Sequence, residues 1–274
     1  MPDGWTWDET LFAGTAAHYT RGRLPYAPEL APVLARALRL DGTGRLLDLG
    51  CGPGTLALRL APLFAETVGV DPDPGMIEEA RRLSVAADRT VWLRARAEEL
   101  PAGLGTFDVA VFGQSFHWMD RPSVAATVRE LLRPGGALVH VADLKGGEAA
   151  GETRWPRVPY GDVARLVKEY LGPVRRAGRG LLPRGTPGGE AKVFREAGFL
   201  GPERYVVPGA GELERGEDDV VARVFSLSSS APGLFGHRVD EFEAELRELL
   251  RACSPEGCFA ERAPDTEVFV WRTP

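Results

Sequence analysis

The stretch Leu46-Leu47-Asp48-Leu49-Gly50-Cys51-Gly52-Pro53-Gly54 constrains this chain more than any other. A short apolar strand, Arg45 to Leu49, runs straight into a glycine-rich turn. A helix follows from Thr55, with Leu56, Leu60 and Leu63 on one face. Glycines let the backbone take positive φ and come close to a ligand. The helix start beyond them presents free N–H groups, which favour a carboxylate or a phosphate. Dinucleotide-binding turns want the spacing G-x-G-x-x-G. Here the glycines fall at 50, 52 and 54, the next position is Thr55, and the acidic Asp48 precedes them.

Around this turn, strands and helices alternate. The pattern predicts a helix from about Glu29 to Leu40, then strands at Thr67 to Val70, Val91 to Arg94, Phe107 to Phe112 and Ala137 to Val141. Pro62 is expected to kink or end the helix that begins at Thr55. Asp73-Pro74 reads as an N-cap followed by proline at the first helical position, opening a helix to about Leu83. Val124, Val128 and Leu131 mark one face of the next helix, with Asp120 as its cap; Arg133-Pro134-Gly135-Gly136 is expected to stop it in a tight turn. Such alternation implies a parallel, doubly wound sheet with helices on both faces. Ligands in such sheets sit at the carboxyl ends of the strands.

After Asp143 the style changes. Lys145 to Pro159 and Gly172 to Gly189 are rich in Gly, Pro and Arg. Between them Asp162 is expected to cap a helix carrying Val163, Leu166, Val167, Tyr170 and Leu171, ended by Gly172. Helices are predicted at Glu217 to Ser228 and Val239 to Arg251, the latter with a stripe of Val239, Phe242, Leu246 and Leu249. Two final strands are predicted at Glu203 to Val207 and Glu267 to Arg272.

A second chemical signal is Gly69-Val70-Asp71-Pro72-Asp73. An acid at the end of the second strand is placed to accept hydrogen bonds from both hydroxyls of a ribose. One such bond to a charged group contributes roughly 1.5–3 kcal/mol, so losing Asp71 should weaken binding about ten- to a hundredfold or more. The bland alternative is a helix-capping residue.

At this point the chain resembles the class I S-adenosylmethionine (SAM)-dependent methyltransferases of the methyltransferase type 11 group, including the trans-aconitate methyltransferase-like branch. The resemblance covers the first 143 residues and rests on LLDLGCGPG at 46–54, VGVDPDPGMIEEA at 68–80, RARAEELP at 94–101, FDVAVFGQSFHWMD at 107–120 and LLRPGGALV at 131–139. It implies an α/β fold: a doubly wound, Rossmann-like, seven-stranded sheet, mostly parallel with the last strand antiparallel, and a helical cap inserted in the C-terminal half. The expected organisation is one domain over 1–274. Residues 1–44 would cover the cofactor, 45–143 form the SAM-binding core, 144–265 the cap and substrate region including the sixth strand, and 266–274 the final strand.

The resemblance also implies site residues. Gly50, Gly52 and Gly54 would approach the methionine part of SAM, Asp48 and Cys51 would belong to the same cofactor-binding set, and Asp71 would hold the ribose. Pro72 or Met76 would flank the adenine, and Ala97 and Glu98 would meet its edge. Gly113 and Gln114 would contact the amino acid moiety. Tyr19 and Arg23 resemble the family's N-terminal segment, which folds over the cofactor; otherwise they belong to a simple packing arm. His117 has three readings: a general base on a hydroxyl or amine, since its unperturbed pKa lies near neutrality, a group that orients SAM, or a brace for the loop beside Trp118. His140 reads as structural, and His237 as a residue that can face substrate.

Composition narrows the partners. The formal net charge of -6 argues against nucleic acid, whose binders usually carry a basic face. Arg175, Arg176 and Arg179 form either a local basic patch or a solvated loop. No apolar run approaches the roughly 20 residues that span a bilayer, and Met1 to Thr10 lacks the order of a signal peptide, so a cytoplasmic protein is expected. Cys51, Cys253 and Cys258 are an odd count without a CxxC pair, and no His, Cys, Asp and Glu grouping has metal-ligand spacing. The expected partner is a small-molecule acceptor, whose identity and the oligomeric state are not legible. SAM-binding enzymes of another reaction class (cyclisation or decarboxylation) and a non-catalytic SAM-binding protein stay open as alternatives.

Overall fold

The computed structural model describes residues 8–84, 89–100, 103–144, 151–178, 180–182 and 188–274. Pro101, Arg179, Lys145 to Ala150 and the first seven positions, on which some of the expectations above fall, lie outside the described residues.

Two helices open the described chain, α1 (Ala16–Gly22) and α2 (Leu30–Leu38). The alternation then appears as expected: β1 (Arg45–Leu49), α3 (Thr55–Leu60), β2 (Glu66–Asp71), α4 (Pro74–Leu83), β3 (Thr90–Arg94), β4 (Phe107–Gly113), α5 (Arg121–Leu131) and β5 (Leu132–Asp143). After these come α6 (Tyr160–Leu171), the two-residue strands β6 (Arg176–Ala177) and β7 (Gly180–Leu181), α7 (Glu190–Glu196), β8 (Leu200–Val207), β9 (Glu212–Gly216), α8 (Glu217–Phe225), α9 (Pro232–Phe235), α10 (Val239–Cys253), β10 (Cys258–Arg262) and β11 (Thr266–Arg272).

Seven strands form one sheet in the order β3-β2-β1-β4-β5-β11-β8. β1 to β5 run parallel, and β11 is antiparallel to both its neighbours, β5 and β8. The last strand is thus antiparallel, as expected, and it sits inside the sheet rather than at its edge. Central strands are apolar on both faces because helices cover both. On one face Leu47, Leu49, Val68, Val70, Phe112 and Phe116 pack with Phe194 of α7 and Trp271 of β11. On the other, Leu46, Val109, Val111 and Val139 pack against Leu30 and Leu34 of α2 and Leu56 and Leu60 of α3. A third cluster joins α6, α8, α9 and α10 through Val163, Leu166, Phe225, Phe235, Phe242, Leu246 and Leu250.

Several local expectations hold. Asp73 caps α4, its carboxylate accepting from the Met76 N–H at 3.0 Å, and Pro74 follows at the first helical position. α3 ends at Leu60 and passes through one 3₁₀ turn containing Pro62. Others need correction. Arg133 to Gly136 belongs to β5 itself: α5 passes directly into the strand, and the extra residues form an irregularity between the Phe107–Leu132 and Val109–Ala137 pairs. Asp162 lies in the first turn of α6 rather than at its cap, which is Pro159. Leu250, not Leu249, completes the buried stripe of α10. The sheet-forming pair β9–β10 and the helices α1 and α7 carry no pattern strong enough to have been read in advance.

Candidate active site

β1 delivers the glycine turn to the carboxyl edge of the sheet, and β2 ties it there. The Gly50 and Cys51 N–H groups donate to the Val70 carbonyl at 2.8 and 3.0 Å. Asp71, at the end of β2 and 8% exposed, accepts from the Gly52 N–H through Oδ2 and from the Asp73 N–H through Oδ1, both at 2.9 Å. An ionised carboxylate offers about four acceptor sites, so these two bonds leave Asp71 able to accept more. Burial pushes its pKa up to about 6, while the two N–H donors pull the other way.

The three glycines of the turn do different things. All have positive φ, which favours glycine. A Cβ at Gly50 would stand 2.5 Å from Cβ of Ser115, whose hydroxyl donates to the Leu49 carbonyl. A Cβ at Gly52 would find nothing nearer than Met76 Sδ and Tyr19 Cζ, each at 4.0 Å, because it would project into an open cleft. A Cβ at Gly54 would meet the Trp92 ring at 2.3 Å. Gly54 therefore serves helix–sheet packing, and the structure does not bring it to the cleft.

That cleft, about 670 Å³, is lined by Tyr19, Gly50, Gly52, Asp71, Pro72, Met76, Ala97, Glu98, Gly113 and Gln114 among the residues expected from sequence. It is also lined by Phe12, Val70, Arg96, Ser115, Trp118 and Met119, which are not in the expected site set. Five of these six lie inside quoted motifs and were legible in principle; Phe12 carries no signal. Glu98 has a second task here: its carboxylate accepts from the Asp120 N–H at 2.7 Å, bracing the start of α5.

A second chamber, about 550 Å³, shares Tyr19, Gly50, Gly113 and Gln114 with the first. Asp48, Cys51 and Arg23 line it, together with Tyr26, Asp143 and Arg223. Asp48 is 1% exposed and neither carboxylate oxygen has a hydrogen-bond partner of good geometry. Burial, and then the charge of Asp71, push its pKa up to about 7; the Ala57 N–H works weakly against this. Nε of Arg23 is likewise buried without a partner, although Nη2 donates to the Ser226 carbonyl at 2.8 Å and the guanidinium stacks 4.7 Å from the Tyr19 ring centroid. A buried acid and a buried guanidinium Nε with unused hydrogen-bonding capacity are costly unless a ligand meets them.

His117 lies apart from both chambers. Its ring centroid is 4.8 Å from that of Trp118, and it lines a third cavity of about 1550 Å³ with His140, reached from the first two past Gln114. His140 is half-buried in β5, and burial lowers its pKa. His237 sits in a 3₁₀ turn of the cap and lines none of these three spaces. Among the described residues no group of His, Cys, Asp and Glu has a metal-binding arrangement, and no helix is long and apolar enough to cross a membrane.

Comparison with known proteins agrees with this geometry. Residues 46–136 match the family described as Methyltransferase domain. An uncharacterised methyltransferase of Mycobacterium tuberculosis is 37% identical over 131 residues, 46% of this chain and 49% of that protein. The 27-O-demethylrifamycin SV methyltransferase of Amycolatopsis mediterranei is 34% identical over 183 residues, 63% of this chain and 67% of that protein. The solved N-methyltransferase NodS of Bradyrhizobium japonicum, in complex with S-adenosyl-L-homocysteine, aligns with 97% of this chain and 99% of its own at a TM-score of 0.51 and 13% identity, a likeness of fold. The match spans about half the length of the first curated relatives. The glycine turn, the Asp71 latch and the seven-stranded sheet define a Rossmann-like SAM-binding scaffold. The chain belongs to the class I SAM-dependent methyltransferases, the family whose cofactor is S-adenosylmethionine.

Proposed function

We propose that this protein transfers a methyl group from S-adenosylmethionine to an O, N or C nucleophile of a small-molecule acceptor, and that the acceptor is a specialised metabolite. One observation supports this most: an open cleft over Gly52 and Asp71 continues into a chamber where the buried Asp48 and the half-buried Arg23 carry unused hydrogen-bonding groups. An amino acid's ammonium and carboxylate match that donor and acceptor set, and a nucleoside matches the apolar cleft beside Asp71.

In this reading Asp71 holds the ribose, while Pro72, Met76, Ala97 and Glu98 enclose the adenine. Gly50, Gly52, Cys51, Gly113 and Gln114 approach the methionine chain, whose charged end faces Asp48 and Arg23; Tyr19 covers it. Bound, the cofactor supplies an electrophilic methyl group on a sulfonium. The chain's own work is to align donor and acceptor at roughly 3–3.5 Å and to exclude water. His117, on the third cavity, acts on the acceptor side, as an orienting group or base. Residues 45–143 form the cofactor core of a single domain, 1–44 its cover, 144–265 the acceptor region and 266–274 the closing strand. The name of the rifamycin-modifying relative supports a specialised product as acceptor. The unpaired Cys51, Cys253 and Cys258 fit a reducing, cytoplasmic setting.

The test is to bind methyl-labelled S-adenosylmethionine and then add hydroxyl- and amine-bearing acceptors. Label moving to an acceptor, with S-adenosylhomocysteine formed, is the expected result. Cofactor that binds while an added substrate is cyclised or decarboxylated, with no methyl loss, would contradict the proposal in favour of another reaction class.

A further inference from the structure

The third cavity is the largest of the three spaces at the carboxyl edge, and it meets the cofactor cleft at one residue, Gln114. Gln114 follows β4 with φ +56 and is held by its N–H donating to the Val141 carbonyl at 3.0 Å. Its side chain hydrogen-bonds Asp143, the last residue of β5, which lines both the second chamber and the third cavity. A molecule lying in the third cavity would therefore touch the cofactor cleft at the Gln114–Asp143 pair.

The wall of this cavity is aromatic. His140 of β5 and Phe269 of β11 are opposite one another in register, their rings 6.2 Å apart and 26° from parallel. Phe194 and Trp271, with ring centroids 5.6 Å apart, back them. The charged lining is acidic: Asp143, Glu190 and Glu267, with no Lys or Arg among the described lining residues. Glu267 is paired with Arg204 at 2.6 Å and Asp143 meets Gln114, Arg23 and Arg223, which leaves Glu190 as the charge offered to a ligand. Arg23 and Arg223 act on Asp143 from the second chamber, where they suit a carboxylate. The cationic side of the junction thus faces the cofactor's amino acid end, and the acidic, aromatic side faces away from it.

We propose that the third cavity is the acceptor site, that it takes an uncharged or cationic ring-bearing molecule rather than an organic acid, and that Asp143 and Gln114 hold the acceptor's hydroxyl or amine at the cofactor junction. This rests on the methyltransferase reading above. A flat ring stacks on the His140–Phe269 wall, Glu190 favours a cation at the rim, and a carboxylate acceptor meets repulsion from Glu190.

The experiment uses the full chain and two calorimetric titrations. The first measures S-adenosylhomocysteine. The second titrates the S-adenosylhomocysteine-saturated protein with 1-naphthylmethylamine, 2-naphthol and 2-naphthoate, probes of equal ring size and different charge. The amine and the naphthol are expected to bind at least about tenfold more tightly than the naphthoate, a difference of about 1.4 kcal/mol. Ala142→Trp, which fills the cavity from β5 without lining the cofactor cleft, should weaken both by tenfold or more and leave S-adenosylhomocysteine binding unchanged. Glu190→Lys should narrow or reverse the preference of amine over naphthoate. Naphthoate binding as tightly as the amine, no binding of amine or naphthol, or probe binding unaffected by Ala142→Trp would overturn the proposal while the cofactor reading stands. Absence of S-adenosylhomocysteine binding to the wild type would overturn the underlying reading and this one with it.

Discussion

Gly22, the last residue of α1, lies so close to α8 that a Cβ on it would stand 2.3 Å from the carbonyl oxygen of Ala222. The contact is a backbone-to-backbone seat, and the surroundings reinforce it. Nη2 of Arg215 donates to the Arg21 and Gly22 carbonyls at 3.0 Å each, and Arg21 pairs with Asp219 at 2.6 Å. α1 carries Tyr19, which lines both the cleft and the second chamber, so the seat of Gly22 fixes Tyr19 against these spaces.

Gly22→Ala is therefore expected to lift α1 from α8. Overpacking against backbone costs about 1–3 kcal/mol, and S-adenosylhomocysteine affinity should fall about tenfold as Tyr19 is displaced. Arg21→Ala removes only exposed ion pairs, which contribute about 0–1 kcal/mol, and should bind nearly as the wild type does. Calorimetry on the two variants checks this; equal affinities would show that α1 does not cover the ligand.

Asp48 makes the unliganded protein sensitive to pH in a definite direction. Burial raises its pKa to about 7, so the folded state prefers the protonated acid. Stability then declines as pH rises from the ordinary carboxylate range to about 7, and the full penalty is present above that. Asp48→Asn should stabilise the ligand-free protein at pH 8 by about 1–3 kcal/mol, a Tm gain of several degrees for a chain of this size. The gain should shrink at pH 4.5, while S-adenosylhomocysteine binding at pH 8 weakens. Thermal unfolding at both pH values decides; a gain of equal size at each would contradict the assignment.

Gly54 and Gly52 separate packing from ligand contact. Gly54→Ala drives a methyl into the Trp92 ring at a positive φ, and should cost about 2–4 kcal/mol of stability by overpacking and backbone strain. The folded fraction should keep S-adenosylhomocysteine affinity within about threefold. Gly52→Ala meets no neighbour inside 4.0 Å, so its stability cost is confined to backbone strain, about 1–2 kcal/mol. Its methyl occupies the cleft and should reduce affinity by more than tenfold. Chemical denaturation together with calorimetry reads both, and a reversed ranking would show that Gly54 rather than Gly52 faces the ligand.

The residues between β1 and β5 were legible because alternation, turn chemistry and caps all point the same way: Asp73-Pro74 opens α4 as its chemistry demands, and Asp71 falls at the end of β2. The part of the site built by long-range packing was not legible. Arg223 reaches the second chamber from the last turn of α8, and nothing in an amphipathic helix says which arginine faces a cavity. His117 and Trp118 are neighbours in sequence with rings 4.8 Å apart, yet they line different spaces, which no local pattern shows. Gly54 belongs to the same motif as Gly52, and only the position of Trp92 on β3 tells their roles apart. The β9–β10 pair escaped notice because Glu212 to Gly216 is charged at alternate and adjacent positions alike, giving no period to read.

In the proposed function Asp71 and the glycine turn bind the nucleoside of S-adenosylmethionine. Calorimetric titration of the wild type and Asp71→Ala with S-adenosylhomocysteine, and with NADH in parallel, tests it most directly. Micromolar S-adenosylhomocysteine binding, weakened about ten- to a hundredfold in the variant, with NADH inert, is the predicted result. Binding of NADH in its place, or S-adenosylhomocysteine affinity indifferent to Asp71, would contradict it.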